Sequence, residues 1–303
     1  MSTRLLLLCP GQGGQHSAMF DLARTDASAA AMLDACGLAA GVSESMFENR
    51  VAQPAIVGAT LAMWEAIRRR VPAPSLVAGY SVGELSAYGV AGALDPVDAV
   101  RLAATRAQLM DGAAAATEPQ ALAAISGLPL AHARTLALAG GFAIAIVTGQ
   151  DSCIAGGLAA ALAPLEQAVA SAGGRLQRLP VGIASHTALM AAAVAPFADA
   201  LMAAPFRAQA CPVLSGIGAE TITGKERAVE TLSRQLSETI VWDQCMDAAA
   251  EAGITVALEL GPGAALARML QARQPHIACR SVADFRSLDG IVKWLNRHAD
   301  VQR

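Results

Sequence analysis

The sequence is short of several things. It has no net positive charge, since 22 Lys and Arg stand against 25 Asp and Glu for a formal charge of −3, which argues against a surface built for nucleic acid. It has no uninterrupted apolar run of about 18 residues, the length a membrane-crossing helix needs. The Leu5–Leu8 run stops at Pro10-Gly11, too short for the apolar segment of a secretory signal and without a small-residue cleavage site. None of the six cysteines forms a C-x-x-C pair, so buried free thiols in a reducing compartment explain them better than disulfides or metal ligands. His16, His132, His276 and His298 show no ligand spacing with one another, and no metal site is expected. Aromatic residues make up only 4%. Much of the 54% hydrophobic content is alanine, which favours helices and close packing and is a weak membrane signal. A soluble, cytoplasmic protein is expected. Its 303 residues suit a large domain with a smaller one inserted.

What is present is an alternation of short apolar runs with longer helical patterns, which predicts an α/β fold with a mainly parallel sheet. Arg4–Cys9 reads as a first strand ending in the glycine-rich loop Pro10–Gln15. A helix is predicted over Ala55–Arg69, where Arg68-Arg69-Arg70 reads as a solvated cap that complements the helix dipole. Ser75–Gly79 reads as a strand, Gly83–Val90 as a helix, and Asp95–Met110 as a second helix entered through Asp95-Pro96. From about Ala121 to Val181 the predicted order becomes β-α-β-β-α-β, a split-βαβ, ferredoxin-like pattern. This inserted unit is bounded by loops near Asp111–Thr117 and Gly182–Ser185. The predicted division is 1–115 with 188–303 as a large α/β part and 116–187 as a small one. After it come a helix from Thr187, a strand at Val213–Ser215, helices at Arg227–Leu236 and Asp243–Ala252, and a strand Thr255–Leu260 running into Gly261-Pro262-Gly263.

Within Gly79-Tyr80-Ser81-Val82-Gly83 the spacing is G-x-S-x-G, which can hold a serine nucleophile at a strand-to-helix turn. The pattern alone leaves a catalytic serine and a structural turn both open. A serine hydroxyl needs a base, and among the five histidines His186 is the candidate, in Gly182–His186, where the inserted unit returns to the main domain. A surface or satisfied core histidine is the other reading. An acid between serine and histidine, as an α/β-hydrolase triad requires, is missing. Asp95, Asp98, Asp111, Glu118, Asp151 and Glu166 fall on helix starts, loop tips or the inserted unit, so a carbonyl could orient the imidazole instead. Arg106 offers a planar fork for a carboxylate, unless it is an ordinary surface arginine; Arg101, five positions earlier, lies on another face of the helix. Gly11–Gln15 lacks the P-loop lysine and a G-x-G-x-x-G fit, so backbone donors for an oxyanion suit it better than nucleotide binding.

Joined with Gln53-Pro54-Ala55, Ala78–Leu94, Arg106–Met110, Ser185–Met190, Arg234-Gln235-Leu236 with Trp242, and Glu259–Gly263, these motifs run in order over nearly the whole chain. Together the chain resembles the malonyl-CoA:acyl carrier protein transacylases and the related acyltransferase domains of fatty-acid and polyketide synthases. The resemblance implies an α/β-hydrolase-like core with a ferredoxin-like insert, and no cofactor beyond malonyl-CoA as substrate and a carrier-protein thiol as acceptor. It also implies Ser81 as nucleophile, His186 as base and the Gln235 main-chain carbonyl as orienter. The amides of Gln12 and Val82 would form the oxyanion hole, Arg106 would pair with the malonyl carboxylate, and Gln53 and Tyr80 would line the substrate site. The partners implied are malonyl-CoA and an acyl carrier protein, with neither nucleic acid nor membrane.

Two departures stand out. Where the family often carries an asparagine in an N-S-P-G-Q-like stretch, this chain reads Val147-Thr148-Gly149-Gln150-Asp151. Tyr80 stands where fatty-acid transacylases typically place histidine. G-Y-S-V-G-E is similar to the epsilon subunit of malonate decarboxylase, which loads malonyl onto the decarboxylase's own carrier subunit, and the polar stretch Asp21–Ser28 fits a trimmed relative of that kind. The expected function is therefore malonyl transfer to the carrier subunit of malonate decarboxylase. The alternatives are the transacylase of fatty-acid synthesis, a serine thioesterase on the same turn, and a non-catalytic subunit that only docks a carrier protein.

Overall fold

The computed structural model describes residues 3–40 and 45–300. Its fold is mixed α/β with two sheets. The first sheet takes β1 (Leu5–Cys9), β2 (Leu76–Gly79), β7 (Val213–Leu214), β8 (Thr221–Ile222), β10 (Val256–Glu259) and β11 (Ala278–Ser281), in the order β11-β10-β1-β2-β7-β8. All its pairings are parallel except β7 with β8. Parallel strands are covered on both faces and so read as continuous apolar runs; every residue of Leu5–Cys9 is buried. The register sets Cys9 beside Gly79 and Leu8 beside both Ala78 and Glu259. The ends of β1, β2 and β10 therefore open on one rim, where the loop Pro10–Gln15, the serine turn and Gly261-Pro262-Gly263 meet.

The second sheet holds β3 (Gln120–Ser126), β4 (Phe142–Val147), β5 (Ser152–Leu158), β6 (Arg175–Arg178) and β9 (Ile240–Val241), in the order β6-β3-β5-β4-β9. The first four are antiparallel neighbours. The fifth comes from far along the chain and pairs parallel with β4. That crossing strand has no sequence signal, because two residues carry no periodicity.

The helices are α1 (Asp21–Arg24), α2 (Ala27–Ala35), α3 (Asn49–Ile67), α4 (Gly83–Val90), α5 (Pro96–Ala115), α6 (Leu130–Ala139), α7 (Leu162–Ser171), α8 (Ala191–Ala203), α9 (Lys225–Arg234), α10 (Trp242–Glu251), α11 (Ala265–Arg273) and α12 (Leu288–Asp300). Among the described residues no helix is long and apolar enough to cross a membrane. α5 starts where expected, with Asp95 capping the Val97 amide at 3.1 Å and Pro96 in the first turn, the arrangement that satisfies an orphan donor and presets φ.

Several boundaries differ from the sequence reading. α5 runs on to Ala115, through the predicted loop at Asp111, because Arg50 and Asn49 hold the Asp111 carboxylate and Ala113–Ala115 favour helix. α3 begins at Asn49 rather than Ala55. Thr187 caps a 3₁₀ turn, Ala188–Met190, before α8. The last strand of the insert stops at Arg178 instead of reaching Val181. The stretch Asp21–Ser28 comprises α1, a two-residue break at Thr25-Asp26 and the start of α2, which Asp26 caps. Arg68 and Arg69 pair with Glu65, and Arg70 with Asp289 on α12, an exposed charged cap as read.

Candidate active site

Ser81 sits two residues beyond β2 and two before α4, with φ at +56°. That region is disfavoured for residues with a Cβ, and the surroundings hold it there. A Cβ on Gly79 would run into the main chain of Gly83 and Glu84, and one on Gly83 into the carbonyls of Cys9 and Pro10. The two glycines therefore let strand and helix meet at van der Waals distance, and the Tyr80 amide donates to Cys9 O at 2.9 Å. The serine projects at the N-terminal end of α4.

Ser81 Oγ lies 2.8 Å from His186 Nε2, and His186 Nδ1 lies 2.6 Å from the Gln235 main-chain oxygen. A carbonyl only accepts, so Nδ1 carries the ring hydrogen and Nε2 presents its lone pair to the serine. His186 itself has φ of +63°, and its amide donates to Leu236 O at 2.8 Å. Burial, then the nearby Arg106 charge, pushes its pKa down to about 3, so the imidazole is neutral at pH 7 and free to accept a proton. The carbonyl fills the position where a triad acid was sought.

Arg106 is almost wholly buried. Its Nη1 donates to Gln53 Oε1 at 2.8 Å, and Nη2 lies 3.3 Å from Ser81 Oγ and 3.5 Å from Gln235 Oε1. Burial pulls its pKa down to about 10, opposed by the Glu84 carboxyl, and it remains a cation at neutral pH. No carboxylate pairs it at salt-bridge distance among the described residues, and a buried cation of this kind suits an anion brought by a ligand. Gln53 extends the support outward: its Nε2 reaches Asn49, which in turn holds Asp111. Arg101, by contrast, is exposed and pairs with Asp98.

Gln12 and Val82 flank the serine from two loops. Neither amide enters a hydrogen bond within the turns and loops described, and Gln12 Nε2 is buried without a partner. Gln12 also lines a cleft of about 510 Å³ with Phe47, Asn49, Arg50, Asp111 and Ile183. Tyr80 packs edge-on against Trp242, ring centroids 5.3 Å apart, and its phenol is raised by burial alone. Val147–Asp151 closes the β4–β5 connection, where Thr148 bonds Ser152, and no hydrogen bond joins it to the cluster. Gly14 abuts Pro262 and Gly263, so the Gly261-Pro262-Gly263 turn buttresses the Gln12 loop. Arg234 is a surface residue paired with Glu230 and Glu238. Among the described residues no three His, Cys, Asp or Glu side chains cluster as a metal site would need.

One residue escaped the sequence reading. Glu84, in the first turn of α4, is fully buried and bonds Gln235 and Gly216. Burial raises its carboxyl to about 8. Its signal was only an acidic residue in a first helical turn, which is ordinarily a solvated dipole partner.

A serine on a strand-to-helix turn, a neutral imidazole against it and a buried guanidinium beside both, with no carboxylate partner among the described residues, thus meet at one point of the rim. The chain belongs to the acyl transferase domain family, which it matches over residues 6–285, and it is an acyltransferase. It is 32% identical over 299 residues to the malonyl CoA-acyl carrier protein transacylase of Mycobacterium tuberculosis, covering 94% of this chain and 98% of that one. Among solved structures it is similar to the PlMCAT–AntF complex of a type II polyketide-synthase acyl-carrier protein with its malonyl-transacylase. The TM-score is 0.89 and the identity 27%, over 96% of this chain and 99% of that one. The malonyl CoA-acyl carrier protein transacylase of Coxiella burnetii shares the fold, with a TM-score of 0.92 at 23% identity over 99% of both chains.

Proposed function

We propose that the protein is a malonyl-CoA:acyl carrier protein S-malonyltransferase working through a malonyl-Ser81 ester. The observation that carries the reading is the unpaired, buried Arg106 beside the Ser81–His186 pair. His186 takes the Ser81 proton as Oγ attacks the thioester carbonyl, and CoA leaves as its thiol on receiving that proton. The Gln12 and Val82 amides donate to the oxyanion, where backbone dipoles aimed at developing charge are most effective. The carrier's thiol then gives its proton to His186, attacks the ester, and restores Ser81. Arg106 holds the free carboxylate through both halves, with Gln53 holding Arg106. An acetyl group would leave that guanidinium unpaired, which is costly in a buried site. Tyr80 lines the site with its ring braced by Trp242. No resident cofactor has a part in this scheme.

The reading includes an α/β-hydrolase-like large part, 1–115 with 188–303, and a ferredoxin-like small part, 116–187; the β6-β3-β5-β4 order supports the latter. The acceptor we favour is an acyl carrier protein of fatty-acid or polyketide type. The similarity to transacylases of that kind supports it better than it supports the carrier subunit of malonate decarboxylase, for which Tyr80, G-Y-S-V-G-E and the polar stretch Asp21–Ser28 are the argument. The test uses malonyl-CoA with and without a phosphopantetheinylated carrier. We expect a malonyl mass on Ser81, absent in Ser81→Ala, and its movement to the carrier thiol. Steady hydrolysis without an acceptor would instead identify a thioesterase. Efficient transfer to the decarboxylase carrier but not to the fatty-acid one would restore the decarboxylase role.

A further inference from the structure

Beneath the Ser81–His186 pair lies a carboxyl group that the transfer scheme does not use. Glu84 Oε2 accepts from the Gly216 amide at 3.0 Å and from the Gln235 side-chain amide, while Oε1 is buried with no partner. The Glu84 amide in turn donates to Ser81 O at 3.0 Å, so this side chain hangs from the turn that carries the nucleophile. Gln235 follows the last turn of α9, and two supports of the base come from it and its neighbour: the Gln235 carbonyl faces His186 Nδ1, and Leu236 O takes the His186 amide. The same Gln235 side chain turns its oxygen toward Arg106. An amide has one oxygen and one nitrogen end; with the nitrogen given to Glu84, the oxygen is aimed at the guanidinium.

We propose that Glu84 is a positioning residue, which through the Gln235 side chain ties the Ser81 turn to the segment that orients His186 and steadies Arg106. The contact spans two elements that are far apart in sequence, α4 and the end of α9, and joins them side chain to side chain at the site. Burial raises this carboxyl to about 8, so at neutral pH it is mostly a neutral acid that holds Gln235 without competing with an incoming carboxylate for Arg106. Glutamine at this position keeps the acceptor for Gly216 and Gln235.

The inference rests on the transfer reading for its meaning, but its test does not. The probe is an alkyl fluorophosphonate, which labels an activated serine and requires no acyl substrate. Labelling rates and their pH profiles are measured for wild type, Glu84→Ala, Glu84→Gln, Gln235→Ala and the double alanine variant, with melting curves to show folding. Glu84→Ala and Gln235→Ala should each label about tenfold or more slowly, the scale of one missing buried hydrogen bond. The double variant should be no slower than the slower single one, because both cut one link. Glu84→Gln should recover most of the rate. The acid limb should move up toward an ordinary imidazole in both alanine variants and keep its wild-type place in Glu84→Gln, which restores the hydrogen-bonded link without restoring a carboxylate. In parallel, malonyl-CoA kinetics should show a raised KM as well as a lower kcat, through Arg106. Wild-type labelling in Gln235→Ala, losses that multiply in the double variant, or a Glu84→Gln as slow as Glu84→Ala would overturn the proposal. If Glu84→Ala does not fold, Gln235→Ala decides alone. A wild-type protein that labels at Ser81 yet takes no malonyl group counts against the transfer reading and not against the link.

Discussion

Ser81 and His186 both occupy the left-handed backbone region, at φ of +56° and +63°, and each such residue costs on the order of 1–3 kcal/mol unless its surroundings impose it. Here they do, through glycines that admit close contact on one side and the Leu236 carbonyl on the other. The result is a serine hydroxyl and a neutral imidazole 2.8 Å apart with the tautomer settled by Gln235. In the proposed scheme Arg106 sets which acyl group profits from them. Arg106→Ala should lower kcat/KM for malonyl-CoA by about 10- to 150-fold, equivalent to the roughly 1.5–3 kcal/mol of a charged hydrogen bond, and leave that for acetyl-CoA unchanged or higher. Unchanged malonyl-to-acetyl selectivity in a steady-state comparison would remove Arg106 from the carboxylate site. Tyr80→His removes the edge-to-face pairing with Trp242 and should cost about 1 kcal/mol in urea unfolding, the worth of such an aromatic pair. An unshifted urea midpoint would show the pairing to be incidental.

At the scale of elements, the serine turn depends on how closely β1, β2 and α4 approach. Gly83→Ala places a methyl against the Cys9 carbonyl, backbone that cannot swing aside. It should destabilise by at least about 1–3 kcal/mol, the overpacking scale, and lower Ser81 labelling in any fraction that folds. Gly112 is the opposite case. It lies exposed within α5 with nothing within 4 Å of an added Cβ, so Gly112→Ala should raise stability by about 0.5–1 kcal/mol with activity intact. Chemical denaturation of the pair reads both signs in one experiment. The strand–turn–helix unit was legible beforehand because glycine spacing and an apolar run are local signals. The continuation of α5 through Asp111 was not, because it depends on Arg50 and Asn49 arriving from α3.

At the scale of the molecule, the two sheets share one site because the chain after α9 returns to both. Gln235 enters the active site, and β9 five residues later joins the second sheet beside β4. Burying ionisable groups at that junction has a cost that varies with pH. Glu84 keeps its proton in the folded chain up to about pH 8, while the unfolded chain loses it from about 4.5, so its contribution is full below pH 4.5 and fades as pH rises to 8. His186 runs the other way: the unfolded chain binds a proton below about 6.5 and the folded one resists it down to about 3, so stability falls as pH drops through that window. Glu84→Gln cannot titrate. The melting temperature of that variant relative to wild type should rise steadily between pH 4.5 and 8 and stay level below pH 4.5. A difference that is flat across the whole range would mean Glu84 is ionised in the folded protein.

The sequence alone determined the family, and through the resemblance it singled out the serine turn, His186, Arg106, Gln53 and Gln12, which lie in local motifs readable without a fold and which the structure brings to one place. The β-α-β-β-α-β order was readable for the same reason. What only the tertiary structure decided is how these pieces meet: the 2.6 Å approach of His186 to the Gln235 carbonyl that the resemblance implied, the burial of Glu84 beneath it, and the two-residue strand that joins the sheets. Each is a contact between segments remote in the chain, made by main-chain atoms or by one side chain whose type does not reveal its environment. Residue identity carries local conformation. Burial and partnership belong to the packed molecule.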